Sequence, residues 1–169
     1  MDLKTVIRDF PDFPKEGILF RDITSLLADP AAFNAAIVQI EALLEGIEYD
    51  IIIGPESRGF IFGTPIALRQ GKSFVPARKK GKLPGEVFSK TYALEYGEDC
   101  IQIHKADVPR GSKVVIIDDL LATGGTASII CDIVEEMGAT VEAAVFLIEL
   151  EGLNGRAALD APVKSVLTY

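Results

Sequence analysis

Two hydrophobic periods alternate along this 169-residue chain. Tyr49 to Gly54 (YDIIIG) and Lys113 to Asp118 (KVVIID) are almost unbroken apolar runs, the pattern of strands buried on both faces. Lys72 to Ala77, Val141 to Glu149 and Val163 to Thr168 predict further strands. Between them the spacing turns helical. After Asp29-Pro30, residues Phe33, Ile37, Ile40 and Leu44 form one apolar stripe. Ser57 to Gly71 predicts a second helix. Thr126 to Met137 predicts a third, with Ile130, Ile133, Val134 and Met137 facing inward and Gly138 ending it. Leu153 to Leu159 reads as a short helix. Strands and helices in this order predict an α/β fold, with a mostly parallel central sheet flanked by helices in a single domain spanning residues 1–169.

Two stretches depart from the pattern. Residues 1–29 predict a small N-terminal hood, with a short helix near Leu3 to Asp9 and then FPDFPKEGILFRDITSLL, whose prolines and Gly17 argue for an irregular cap. Residues 79–94 mix Gly, Pro, Lys and Glu with few apolar positions, which fits a mobile loop or a long hairpin. No internal repeat, low-complexity tract or linker interrupts the chain.

The formal net charge is −8. That balance argues against non-specific nucleic-acid binding, which relies on clustered Lys and Arg. Positive charge is instead concentrated at Arg78, Lys79, Lys80 and Lys82. No apolar stretch approaches the roughly 18 residues of a membrane helix, and MDLKTVIRDF lacks the apolar core of a signal peptide, so the cytoplasm is the expected compartment. Cys100 and Cys131 have neither metal-ligand nor redox spacing and are expected to be reduced thiols. The one histidine, His104, lies in a strand-like IQIH stretch without a G-x-S-x-G nucleophile elbow, so a structural or exposed position is expected.

The chemistry is concentrated in VVIIDDLLATGGTA, residues 114–127. An apolar strand delivers Asp118 and Asp119, and Thr-Gly-Gly-Thr then opens a helix. Gly124 and Gly125 let backbone N–H groups approach an anion, and the helix N-terminus adds favourable partial charge. The lysine of a Walker A loop is missing, as is the G-x-G-x-x-G of a dinucleotide site. The paired carboxylates suit the vicinal hydroxyls of a sugar; the competing reading makes them helix caps beside a tight turn. A second strand-to-helix junction, GPESRGF, places Arg58 beside exposed N–H groups as another anion site, or else in a surface ion pair. RKKGK alone reads as a solvated face, and over a polyphosphate as a cationic lid.

VVIIDDLLATGGTA resembles the 5-phosphoribosyl 1-diphosphate (PRPP) motif of the type I phosphoribosyltransferases. DFPKEGILFRDITSLL, IIGPESRGFIFG, RKKGKLPGEVFSKTYALEYG and LIELEGLNGR extend the resemblance, in order, over essentially the whole chain and toward the adenine-using branch. It implies that Ala122, Thr123, Gly124, Gly125 and Thr126 anchor the 5-phosphate. Ser57 and Arg58 would hold the pyrophosphate, with a cis peptide between Glu56 and Ser57. Arg78, Lys79 and Lys82 would contact PRPP, which gives residues 79–94 the role of a lid. Glu95, Asp118 and Asp119 are the implied catalytic carboxylates; for Glu95 an exposed strand-end position is the alternative. Phe20 would stack on the base or else pack in the core, backbone groups of Leu19 and Arg21 would read the adenine edge, and Leu150 would close the other face. The implied reaction is purine salvage: adenine and PRPP give AMP and pyrophosphate. Mg²⁺ would be carried by PRPP and water rather than by protein ligands, and the implied assembly is a homodimer. The shared phosphate loop leaves two alternatives, another purine base (hypoxanthine, guanine or xanthine) and a non-catalytic PRPP-binding regulator.

Overall fold

The computed structural model describes residues 1–93 and 98–169. Its N-terminus is more regular than the prolines suggest. Leu3–Thr5 is a single 3-10 turn rather than a helix reaching Asp9. Arg8–Pro11 (β1) then pairs antiparallel with Leu19–Asp22 (β2), so Pro14 and Gly17 mark the connection of a hairpin. The short helix α1 (Thr24–Ala28) leads into α2 (Pro30–Leu43). Asp29 caps α2, its carboxylate accepting from the N–H groups of Ala31 and Ala32 at 2.9 and 3.2 Å.

The apolar runs then line up as predicted. Ile51–Pro55 (β3) leads to α3 (Arg58–Gln70), which Gly71 ends in the left-handed conformation. Ser73–Lys79 (β4) runs parallel to β3. The 79–94 stretch contains regular structure: Val87–Ala93 (β5) pairs antiparallel with Glu98–His104 (β6), and β6 with the end of β4. The hairpin reading of this segment therefore holds for β5, whose polar face hid it among loop residues. His104 ties the turn before β5 to β6, its Nε2 lying 2.8 Å from the Pro84 carbonyl oxygen.

Lys113–Leu121 (β7) continues past Asp118, so both aspartates lie within the strand. Then come α4 (Gly125–Glu136), β8 (Thr140–Glu149) and β9 (Val163–Thr168). The expected helix over 153–159 is two 3-10 turns, Glu151–Leu153 and Gly155–Ala158, divided by Asn154 in the left-handed conformation at φ 51°. The large sheet has the order β5-β6-β4-β3-β7-β8-β9, with its five central and distal strands parallel.

Side chains alternate between the two faces. Ile52, Val115, Ile117, Val145 and Leu147 pack under α2 and α3. Ile51, Ile53, Val114, Ile116 and Phe146 face α4. Burial on both sides explains why these strands carry so few polar residues. Among the described residues no helix is long and apolar enough to cross a membrane.

Candidate active site

The parallel strands β3 and β7 are neighbours, and each delivers a helix N-terminus to the same rim. A cleft of about 270 Å³ opens there, bringing together Ser57, Arg58, Asp118, Asp119 and the whole turn from Ala122 to Thr126. Such a place, outside the carboxyl ends of parallel strands, is where α/β sheets bind ligands. Glu56 and Phe146 also line it, although neither was singled out from sequence.

Gly124 caps α4 at φ 82°, a conformation that disfavours a side chain. A Cβ there would also overlap the Gly155 carbonyl oxygen. The first N–H groups of α4 have no partners within the helix, so the turn presents donors and positive partial charge to the cleft. At the other junction the Glu56–Ser57 peptide is cis, as the resemblance implied.

The acids and cations are already paired. Arg58 Nε lies 3.0 Å from Asp119 Oδ2, and the Asp119 side chain is only 4% exposed. Asp118 Oδ1 accepts from the Asp119 N–H at 2.8 Å. Burial, then the neighbouring Asp119 charge, push the Asp118 carboxyl well above the usual carboxylate range. Burial raises Asp119 as well, against the opposing pull of Arg58. Arg78 Nε donates to Glu56 Oε2 at 3.1 Å, and the Lys79 N–H to the same oxygen at 2.9 Å. Burial pushes Glu56 up, but these donors outweigh it and leave the group below its ordinary value. Lys79 Nζ pairs with Asp99 at 3.1 Å. Arg78 thus reaches the cleft through Glu56, whereas Lys82 sits on the exposed turn beyond it.

The residues that the resemblance implies for base recognition lie outside the cleft lining. Phe20 is half-buried on the hood, edge-on to Phe13 with ring centroids 5.2 Å apart, and belongs to neither core cluster. Arg21 pairs with Asp9 and lies 3.9 Å from the centroid of the Tyr169 ring. Leu150 donates its N–H to the Leu121 carbonyl at 3.0 Å, which places it directly beside the end of β7. Leu19 is 45% exposed on β2. Glu95 lies outside the described residues.

Comparison with known proteins identifies the family and the fold. The family model for the phosphoribosyl transferase domain matches residues 22–169. The chain is 52% identical to the adenine phosphoribosyltransferase of Lachnoclostridium phytofermentans over 168 residues, covering 99% of this chain and 97% of the relative. The solved adenine phosphoribosyltransferase of Thermoanaerobacter pseudethanolicus superposes with a TM-score of 0.95 at 50% identity, over 99% of this chain and 98% of that one. The Saccharomyces cerevisiae enzyme, solved with an imino-altritol bisphosphate and adenine, gives a TM-score of 0.92 at 44% identity, covering 96% and 94%.

Proposed function

The chain belongs to the phosphoribosyltransferase family, among its adenine phosphoribosyltransferases, and from that premise we propose how its cleft carries the reaction. The enzyme transfers the 5-phosphoribosyl group of PRPP to adenine, giving AMP and pyrophosphate, and so serves purine salvage. One observation carries the assignment of roles: a single cleft joins two helix N-termini across a pair of buried-rim aspartates.

The turn from Ala122 to Thr126 takes the 5-phosphate, its N–H groups and threonine hydroxyls donating to the phosphate oxygens. This contact is remote from the reacting carbon and supplies binding energy that holds the sugar in place. Asp118 and Asp119 accept from the ribose hydroxyls. Ser57 and Arg58 at the start of α3 take the pyrophosphate. Arg78, Lys79 and Lys82 add cationic contacts from the end of β4 and the turn after it. Arg78 can engage phosphate oxygens as a fork, Lys82 as a point charge.

In the chemical step the bond between C1 of the ribose and the pyrophosphate oxygen breaks, its electron pair leaving with pyrophosphate. A ring nitrogen of adenine forms the new bond to C1 and gives up its proton. Positive charge gathers on the ribose between these events. The carboxylates of Asp118 and Asp119 face that charge from a site poor in water, where their field counts most. Phe20 stacks on the base, backbone groups of Leu19 and Arg21 read its edge, and Leu150 closes the opposite face. Glu95 assists proton handling at the purine or charge on the ribose.

Mg²⁺ fits this donor set. The cleft offers the hard carboxylate oxygens of Asp118 and Asp119. By the family resemblance the ion would be held chiefly by PRPP oxygens and water. When bound it neutralises charge on the leaving pyrophosphate. The enzyme works as a homodimer in the cytoplasm. A radiolabelled-adenine assay with PRPP and Mg²⁺, omitting each in turn and competing with hypoxanthine, guanine and xanthine, tests the assignment. AMP formation that needs all three and resists the other bases is expected; failure to label AMP, with another base converted to its nucleotide instead, would reassign the base.

A further inference from the structure

Among the described residues two acidic side chains are buried: Asp119 in the cleft and Glu149 at the end of β8, each 3% exposed. The transfer reaction accounts for the first and leaves the second without a task. Burying a carboxylate is costly unless it is paired, so Glu149 marks a built feature.

Arg156 answers it with a fork. Its Nε donates to Glu149 Oε1 at 2.6 Å and its Nη2 to Oε2 at 2.7 Å. Nη1 donates to the Val163 carbonyl at 2.7 Å, and the Ser165 hydroxyl also donates to Oε2. All three guanidinium nitrogens are therefore held by β8 and β9 together. The backbone of Arg156 belongs to the 3-10 turn Gly155–Ala158, and that turn lies against the phosphate loop. A Cβ on Gly155 would overlap the Ala122 carbonyl oxygen. A Cβ on Gly124 would overlap the Gly155 carbonyl and come within 3.0 Å of Ala158 Cβ. Leu121, the last residue before the loop, stands in register with Glu149 on the neighbouring strand. Glu149 thus grips the loop twice, through the sheet ladder and through Arg156.

We propose that Glu149 and Arg156 are positioning residues for the 5-phosphate, their ion pair seating the 155–158 turn against Ala122 to Gly124 and so aiming the N–H groups that open α4. The proposal rests on the phosphate reading of that loop. It assigns to the pair a selective effect on phosphorylated ligands, beyond any share in stability.

The test measures KM for PRPP and for adenine, kcat, and the affinity for AMP in Arg156→Met, Arg156→Lys and Gly155→Ala, with Gly125→Val as a control within the loop. Arg156→Met is expected to raise the KM for PRPP and the Kd for AMP at least tenfold, with the KM for adenine within twofold. Arg156→Lys, which restores the charge without the fork, should fall between it and the parent. Gly155→Ala keeps the ion pair and displaces the loop directly, so it should show the same selective loss; it decides the matter if Arg156→Met does not fold. An unchanged KM for PRPP, or equal rises for both substrates, overturns the proposal. If Gly125→Val leaves PRPP binding unchanged, the phosphate reading itself fails and the proposal falls with it. If Gly125→Val weakens PRPP binding while Arg156→Met and Gly155→Ala do not, only the positioning role fails.

Discussion

Arg58 and Asp119 are each other's partners, Nε to Oδ2 at 3.0 Å across the mouth of the cleft. The cation assigned to pyrophosphate and the carboxylate assigned to ribose are therefore satisfied before any ligand arrives. On the proposed roles, PRPP would exchange this internal pair for two external ones: the ribose hydroxyls would take the carboxylate, and the pyrophosphate the guanidinium.

Asp119→Asn breaks both arrangements while keeping the side chain's size. Turnover should fall by about 100-fold or more, the scale seen when a group facing transition-state charge is removed. Circular dichroism should stay native. A kcat/KM near that of the parent would count against the ribose role.

Asp118→Asn should separate stability from activity. Burial raises the Asp118 carboxyl above its unfolded value, so the folded chain holds the proton more tightly than the unfolded one. Stability is then lost as pH rises from the ordinary carboxylate range through the raised folded value. Asparagine removes this penalty, and its Oδ1 still accepts from the Asp119 N–H. The variant should melt higher at pH 7 and show a flatter stability profile between pH 4 and 8. Each kcal/mol regained corresponds to roughly 2–4 °C for a domain of this size. Activity should fall. A lower melting temperature at pH 7 would show that the charged form is the stabilising one.

Glu149 has the opposite sign. The Arg156 fork leads in holding its carboxyl below the ordinary value, so the charged pair stabilises the fold above the unfolded value. That contribution disappears as pH falls through the lowered folded value. Arg156→Met should cost about 3 kcal/mol at pH 7, the low end for a broken buried pair because the Arg156 side chain is 48% exposed. Urea unfolding at pH 7 and at pH 3 measures this. The gap between parent and variant should narrow at the lower pH; a constant gap would show that packing, rather than charge, is what was lost.

Gly59→Ala should loosen the wall shared by the two anion loops. A Cβ at Gly59 would stand 2.6 Å from Pro55 Cδ, 3.0 Å from the Ile117 carbonyl oxygen and 3.2 Å from Asp118 Oδ1. Accommodating it pushes α3 away from β7, a strain of about 1–3 kcal/mol. Urea unfolding and PRPP KM should both move. A variant as stable as the parent would mean that the strands yield more easily than their burial suggests.

What could be read from the sequence followed from how locally each feature is encoded. β3, β7 and β8 are buried on both faces, so their apolar runs are conspicuous. β1 is exposed throughout and contains Pro11, which left its pairing with β2 without a pattern. Two adjacent acids predict that β7 ends at Asp118, yet its ladder with β8 continues to Leu121. The Ala122 to Thr126 turn and Arg58, which both line the cleft, are legible because each lies in a contiguous motif. Glu56 lies within GPESRGF, but its partner Arg78 lies on the next strand, 22 residues away, so no contiguous motif joins them. The Glu149–Arg156 fork spans seven residues across a strand end and two turns, a spacing that neither helical nor strand periodicity marks.

The register of β3 against β7 has a consequence for ligand choice. Ile51, Ile52 and Ile53 pair with Val114, Val115 and Ile116, and from the far end of this ladder leave the two loops assigned to pyrophosphate and 5-phosphate. Neighbouring strands stand about 4.8 Å apart, a spacing set by main-chain hydrogen bonds. The ladder therefore works as a caliper. Side chains in the loops govern how firmly a phosphorylated sugar is gripped, while the span it must have between its charged ends is gauged by the backbone.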